Sequence, residues 1–299
     1  MWVITNRKLF YSISGILIVA SAVSLFVWGL KPGIDFTGGT LIEVSYPAGR
    51  PAQDAVAASL AAIDPAASVR PSGSADYIVR MKAIGTPEKV AVMNALSLNG
   101  SASTTEKNFA SVGPVLGAEA LRKALVSIFL VLICIVLFIT FAFRKVSEPV
   151  SSWKYGLTAV IALAHDVIIP TGVFSILGHY LGYEVDTLFV TALLVVLGFS
   201  VHDTIVVFDR VRENLKHASD KKPFAEVVGE SVSQTFTRSI NTSLTTLIAL
   251  IVLYIFGGST TEHFSLALII GIAAGTYSSI FIGSPLLVTI EKWGRKKVK

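Results

Sequence analysis

The chain has 299 residues, of which 53% are hydrophobic and only 15% charged, with a mean hydropathy of +0.68. Soluble domains carry about a quarter charged residues, so this balance excludes a disordered chain, a collagen-like fibre and a disulfide-stapled secreted domain. The formal charge of +5 is no argument for nucleic acid, because Lys and Arg in a membrane protein are sorted by topology first, and the single Cys134 offers neither a disulfide nor a cysteine metal site.

A bilayer core of about 30 Å needs roughly 20 apolar residues in helical form. Six segments meet that requirement, at about 10–30, 121–143, 156–177, 187–208, 238–257 and 264–288. The first follows Arg7 and Lys8. Its apolar run is long for a secretory signal and no small-residue cleavage site follows, so it reads as a retained signal anchor. Next comes GIDFTGG, residues Gly33, Ile34, Asp35, Phe36, Thr37, Gly38 and Gly39, where the paired glycines permit positive φ or close backbone approach. SVGP, with Gly113 and Pro114, precedes the second span, and the two motifs are expected to shape the junction between the membrane part and the 33–118 stretch.

That stretch holds six basic and seven acidic residues, as a solvated module would. Alternation predicts strands at 40–46 and 76–83. Helical spacing covers 52–63, and Thr86, Pro87 and Glu88 open a second helix running to about Leu98. With short strands at 67–70 and 109–112 the order becomes βαββαβ, a split βαβ module with one small core.

The third span carries His165 and Asp166, with Pro170 one turn on, where a kink should free a backbone carbonyl. The fourth carries Ser200, His202, Asp203 and Thr204. Asp203 lies about 9 Å inside Asp209 at helical rise, and Ser200, Asp203 and Val207 share a face from which His202 points about 100° away. An ionised group inside a span costs roughly 2.5–3.5 kcal/mol, so Asp203 is read as a proton-binding carboxylate lining a cavity in preference to a structural ion pair. In the 209–237 loop, Phe224, Val227, Val228, Val232 and Phe236 suit either an amphipathic helix lying at the membrane surface or an ordinary connector. The fifth span opens with a polar stripe of Gln234, Arg238, Asn241 or Thr242, and Thr245. Arg238 reads equally as the partner of Asp203 and as a cation snorkelling to the interface. Adjacent His–Asp pairs on a helix cannot both face one ion, and the H-E-x-x-H spacing is absent, so no metal is expected.

Charge then sets orientation. Arg7 and Lys8; Arg144, Lys145 and Lys154; Arg210, Arg212, Lys216, Lys221 and Lys222; and Lys292, Arg295, Lys296, Lys297 and Lys299 mark one side, while the opposite loops 178–186 and 258–263 hold no Lys or Arg. This places both termini in the cytoplasm and the 33–118 module outside, with Arg122 and Lys123 dissenting. The organisation is therefore an N-terminus and first span over 1–32, an outer α+β domain over 33–118, five further spans over 119–290 with the 209–237 cytoplasmic loop, and a basic tail over 291–299.

Taken together, GIDFTGG (33–39), SVGP (111–114), the HD pair (165–166), GFSVHDTIVVFDRVREN (198–214) and TRSINTSLTT (237–246) resemble the SecF proteins of the SecD/SecF protein-export family, half-length relatives of the RND transporters. The resemblance covers essentially the whole chain. One departure is His202, where the family usually has Asn. The resemblance implies an α-helical membrane protein of six transmembrane helices (half of an RND unit) with a small ferredoxin-like α+β domain outside the membrane. It implies no enzyme and no cofactor, but an auxiliary subunit of the Sec translocase in the bacterial cytoplasmic membrane, using the proton gradient in late steps of export. Its expected partners are SecD, the SecYEG channel, YajC, the unfolded exported polypeptide and the lipid bilayer. Proton conduction maps onto Asp203, Arg238 and Thr242, and the proton-conducting set is completed by His202 in the fourth span and Asp166 in the third. Two competing readings are half of a proton-coupled RND small-molecule exporter and a scaffold that holds SecD without conducting.

Overall fold

The computed structural model describes residues 2–144, 151–218 and 222–296. Lys145, Lys221, Lys297 and Lys299 of the charge pattern lie outside the described residues. In chain order the elements are α1 (Trp2–Thr5), α2 (Arg7–Val27), α3 (Ile34–Thr37), β1 (Gly39–Ser45), α4 (Gln53–Leu60), β2 (Ser68–Ser72), β3 (Asp76–Met81), α5 (Thr86–Leu96), β4 (Thr105–Val112), α6 (Pro114–Ala142), α7 (Ser152–Tyr180), α8 (Thr187–His217), α9 (Phe224–Phe256) and α10 (Ser259–Ser278). A π-helical turn (Ser279–Gly283) leads from α10 into α11 (Ser284–Lys296). The chain divides into an α+β unit, Pro32–Leu125, and a helical unit made from the segments on either side of it.

In the α+β unit a four-stranded antiparallel sheet has the order β2-β3-β1-β4. Each helix connects strands that are not neighbours, α4 from β1 to β2 and α5 from β3 to β4, which is the split βαβ arrangement. Alternation along the strands drives the packing. Ile42 and Val44 of β1 and Tyr77, Val79 and Met81 of β3 turn to one face, where Val56 and Leu60 of α4 and Val92 and Leu96 of α5 cover them. Register follows from this face: Ile42 stands opposite Val79 on one side and Phe109 on the other. The edge strand β2 contains Pro71, a position at which a missing N–H costs no ladder bond. Strand β4 begins four residues earlier than the sequence reading, at Thr105, because a bulge at Glu43/Val44 carries the pairing past Asn108. Helix α5 stops at Leu96, since Leu98 and Asn99 adopt positive φ.

Buried Tyr46 donates its hydroxyl to the Leu96 carbonyl, 2.9 Å away, tying the end of β1 to the end of α5. Burial pushes this phenol up to about 12, so it remains a donor well into alkali. Because the unfolded phenol ionises near 10, this stabilisation is complete below about pH 10 and is lost as pH rises toward 12. Tyr46→Phe is expected to cost about 1–2 kcal/mol, since the Leu96 carbonyl is left buried and unpaired. Amide hydrogen exchange of α5 in the full chain would show it, and unchanged protection would contradict the assignment.

The GIDFTGG and SVGP motifs meet inside this unit. Gly33 is the extended residue before the single turn α3, whose Ile34 and Phe36 are buried while Asp35 is half-buried. The Thr37 hydroxyl donates back to the Gly33 carbonyl at 3.0 Å. Gly38 and Gly39 then turn the chain with φ of +73° and +125° into β1. A Cβ on Gly38 would stand 2.7 Å from the Pro114 Cα, and one on Gly117 would stand 2.8 Å from the Gly38 nitrogen. Gly113 accepts the Gly117 N–H at 3.0 Å as the first turn of α6 starts.

Among the described residues, six helices are long and apolar enough to cross a membrane: α2, α6, α7, α8, α9 and the α10–α11 run over Thr261–Trp293. The chain is a multi-pass membrane protein of six apolar helices with a small antiparallel α+β unit. Hydrocarbon as solvent inverts the usual pattern. Phe26, Phe129, Phe138 and Phe256 are exposed, whereas Ser21, Ser24, Ser175 and Ser200 are buried. Small residues let helices approach closely: Gly172 of α7 packs against Ser21 of α2, and Gly271 of α10 against Val196 of α8. The Ser24 hydroxyl donates to the Gly172 carbonyl at 3.0 Å, and the Ser175 hydroxyl to the Ser24 carbonyl at 2.9 Å. Helix α7 continues through Pro170, with the Thr171 hydroxyl donating to the Val167 carbonyl at 2.6 Å.

The 209–237 segment is not a loop. Helix α8 runs on to His217 and α9 begins at Phe224, so the connection is 218–223, of which 219–221 lie outside the described residues. Nor does a separate amphipathic helix lie flat before the fifth span. Phe224, Val228 and Val232 are buried with Val207, Phe208 and Val211 of α8 and with Val3 and Ile4 of α1. Apart from Phe236, which is exposed, the apolar face is consumed by protein packing, and the segment continues in line with its span as one helix.

Candidate functional site

Among the described residues of the helical unit three carboxylates are buried, Asp166, Asp203 and, near the end of α11, Glu291; the first two lie deep within their spans. On α8, Ser200, Asp203, Thr204 and Val207 all face inward, as their 3.6-residue spacing requires. Asp203 is 6% exposed. Its Oδ1 accepts the Ser239 hydroxyl of α9 at 2.7 Å, while its Oδ2 is buried with no hydrogen-bond partner among the described residues. Thr204 and Ser279 share a hydrogen bond of 2.9 Å, and the Ser279 hydroxyl also reaches the Ser200 carbonyl at 3.3 Å.

On α7, Asp166 is fully buried. Its Oδ1 lies 2.8 Å from the Nδ1 of His165, and its Oδ2 accepts the Ser200 hydroxyl at 2.5 Å and the Ser278 hydroxyl at 2.8 Å. Gly275 of α10 makes room for this, since a Cβ there would stand 3.0 Å from the Ser200 Cβ and 3.6 Å from the Asp166 Oδ2. Asp166 is thus gripped from three helices, whereas one oxygen of Asp203 is left without a partner.

The stripe singled out on α9 faces elsewhere. Arg238, Asn241, Thr242 and Thr245 are exposed, and among the described residues Arg238 makes no ion pair with Asp203. The inward face is instead Ser231, Thr235, Ser239 and Ser243, a row of small hydroxyl residues four apart. Ser243 accepts the Thr276 hydroxyl of α10 at 2.6 Å. The physical reason is size: small side chains allow the close approach of α8, α9 and α10, and Arg238, one residue from Ser239, is turned about 100° away. Gln234 is the exception in the stripe, for its Oε1 accepts from Arg210 at 2.6 Å and from Asn214 at 2.9 Å. His202 is exposed, on a different face from Asp203. Ser239, Ser278 and the inward direction of His165 were missed by the sequence reading. The repeat of small residues at 231, 235, 239 and 243 is the signal that could have found Ser239. No group of three or more His, Cys, Asp or Glu side chains suited to a metal occurs among the described residues.

Comparison with known proteins decides the family. The sequence model described as protein export membrane protein SecD/SecF, C-terminal, matches residues 92–293, and that of the SecD/SecF GG motif matches residues 23–46. The chain belongs to the SecD/SecF family. The SecD/SecF GG motif match takes in the Gly38–Gly39 turn, and the larger match takes in Asp166 and Asp203. Among relatives, the protein translocase subunit SecF of Thermobaculum terrenum is 42% identical over 95% of this chain and 92% of its own length. That of Sebaldella termitidis is 38% identical over 96% and 91%. The crystal structure of SecDF from Thermus thermophilus, a translocon-associated membrane protein, superposes with a TM-score of 0.82 at 31% identity. That match covers 98% of this chain, which spans only 38% of the longer SecDF chain. A SecDF structure in a super-membrane-facing form matches with a TM-score of 0.67 at 30% identity.

Proposed function

We propose that this SecD/SecF-family chain is an auxiliary subunit of the Sec protein translocase that acts with SecD and couples the proton gradient to late steps of export. The observation that carries the reading is Asp203: a carboxylate buried within a span, held by one hydroxyl and with its second oxygen unpartnered among the described residues. Such a group is expensive in a membrane and is found where protons or ions pass. The reading assigns the chain no covalent chemistry, both termini to the cytoplasmic side of the bacterial membrane and the α+β unit to the outside.

Support for the partner comes from α9. Arg238, Asn241, Thr242 and Thr245 form an exposed polar row on a helix apolar enough to span the bilayer. Leaving an arginine against lipid is costly, so the row calls for a second membrane protein with polar groups of its own. The SecDF structure, in which this chain's counterpart is only part of one polypeptide, makes SecD the natural cover. SecYEG then supplies the channel and the unfolded chain. Proton binding at Asp203 removes the charge that Ser239 and, across the α9 face, Arg238 stabilise, and so shifts the balance between two packings of α8 against α9. Only a few kcal/mol need separate them.

The test is export into inverted membrane vesicles containing SecYEG, SecD and this chain, with the gradient imposed or collapsed by a protonophore. The chain's contribution to export is expected to vanish on collapse. An equal contribution with and without the gradient would leave only the scaffold reading.

A further inference from the structure

The His165–Asp166 pair carries more than the Asp203 reading uses. His165 is 2% exposed, and its Nε2 is buried with no hydrogen-bond partner among the described residues. A buried ring nitrogen without a partner is uncommon and requires an explanation. The opposite ring nitrogen is fixed. Asp166 Oδ1 lies 2.8 Å from Nδ1, and Oδ2 already accepts from Ser200 and Ser278. With Asp166 ionised, and therefore only an acceptor, Nδ1 carries the hydrogen and Nε2 is left with its lone pair. A carboxylate behind a histidine that orients the ring and selects one tautomer is the arrangement that turns an imidazole into a proton acceptor.

The surroundings of the ring are polar on one side. Tyr277 of α10 stacks on His165, with centroids 6.1 Å apart and planes 19° apart. The Tyr277 hydroxyl donates to the Phe10 carbonyl of α2 at 3.0 Å and lies beside Ser14, one turn along. Ser14 is itself buried at 4% exposed. Directly after Ser278, which donates to Asp166, the helix widens into its π turn, a departure that often marks functional sites.

We propose that His165 is a second proton-binding site of the helical unit, with Asp166 as its positioning residue and Nε2 as the atom that takes up the proton. Hydronium supplies that proton and leaves as water, and the new N–H bond, formed from the Nε2 lone pair, turns the neutral imidazole into an imidazolium. With that proton taken up, the imidazolium balances the charge of the Asp166 carboxylate. The titratable groups around it are Asp166 on its own helix, Tyr277 on α10 and, one turn beyond Ser200 on α8, Asp203. From α2 the pocket receives the Phe10 carbonyl and Ser14, and from α9 only Ser239 reaches the carboxylate of Asp203.

The inference extends the reading of a proton-coupled subunit, but its test does not depend on export. The full chain, labelled with 15N-histidine, is purified together with SecD in lipid nanodiscs and titrated from about pH 9 to about pH 5. His165 is assigned from a His165→Gln spectrum. Should that variant not fold, it is assigned from a chain in which His179, His202, His217 and His263 are all changed to Gln, leaving His165 alone. The expected result at high pH is a protonated Nδ1 with an unprotonated Nε2, and at low pH a reversible change in which Nε2 gains a proton. A ring that stays neutral across the range overturns the inference, and so does a hydrogen on Nε2 at high pH. Loss of gradient dependence at Asp203, by contrast, is read only in vesicles, so the two proposals fail separately.

Discussion

Asp203→Asn is expected to abolish the gradient-driven part of export while leaving the chain folded and bound to SecD. Asparagine has nearly the same shape and keeps an oxygen to accept the Ser239 hydroxyl, which lies 2.7 Å from Oδ1 in the wild type. What it loses is the proton-binding site. The fold should tolerate the change or gain slightly, because a neutral amide replaces an ionisable group in an apolar setting. A fall of at least about ten-fold in the gradient-dependent rate would correspond to about 1.4 kcal/mol of lost coupling. Ser239→Ala makes the complementary change, keeping the carboxylate and removing its one hydrogen bond, and should shift the pH profile of export without abolishing it. Vesicle export measured against external pH separates the two. If Asp203→Asn retains full stimulation by the gradient, proton coupling through α8 is wrong.

How much of this was written in the sequence depends on which physical rule dominated each stretch. The six spans were legible because length and hydropathy suffice in a bilayer, and the βαββαβ order because alternation in 40–46 and 76–83 matches strands with one buried face. That Asp203 shares a face with Ser200 and Val207 followed from helical spacing, and that this face turns inward followed from the cost of a charge in lipid. What spacing could not give was the rotation of α9. Two polar stripes run along that helix, one with the charge and one with serines. Charge complementarity selects Arg238, but packing selects Ser239, since helix contact in a membrane is governed by side-chain size. The 209–237 segment misled for a related reason: its apolar face was real, but it lies against Val207, Val211 and Ile4. Asp166 was visible as a residue, whereas its grip by Ser200 and Ser278 joins helices far apart in sequence and could only be seen once they were packed.

Gly117→Ala should be among the most destabilising single changes in the chain, although it is a substitution that helices ordinarily welcome. In an open helical position, alanine for glycine gains up to about 1 kcal/mol. Gly198, in the middle of α8 with nothing within 4 Å of its missing Cβ, is such a position and serves as the control. At Gly117 the added carbon would stand 2.8 Å from the Gly38 nitrogen, 3.0 Å from the Phe36 oxygen and 3.1 Å from the Phe36 carbon. All three are backbone atoms, so no side chain can rotate to relieve the contact. Gly38 cannot yield either, because it is closed in on its other side, where a Cβ on it would stand 2.7 Å from the Pro114 Cα, and its φ of +73° holds it in the left-handed region. The junction therefore has to open, at a cost of about 3 kcal/mol, a typical penalty for overpacking in a rigid site. A module of this size has only a few kcal/mol of stability to lose. Hydrogen exchange of β1 and β4 in the full chain is expected to rise about a hundred-fold in Gly117→Ala, the equivalent of about 2.8 kcal/mol at about 1.4 kcal/mol per decade, and to stay unchanged in Gly198→Ala. Equal protection in the two variants would mean that GIDFTGG and the start of α6 do not lock together as the geometry requires.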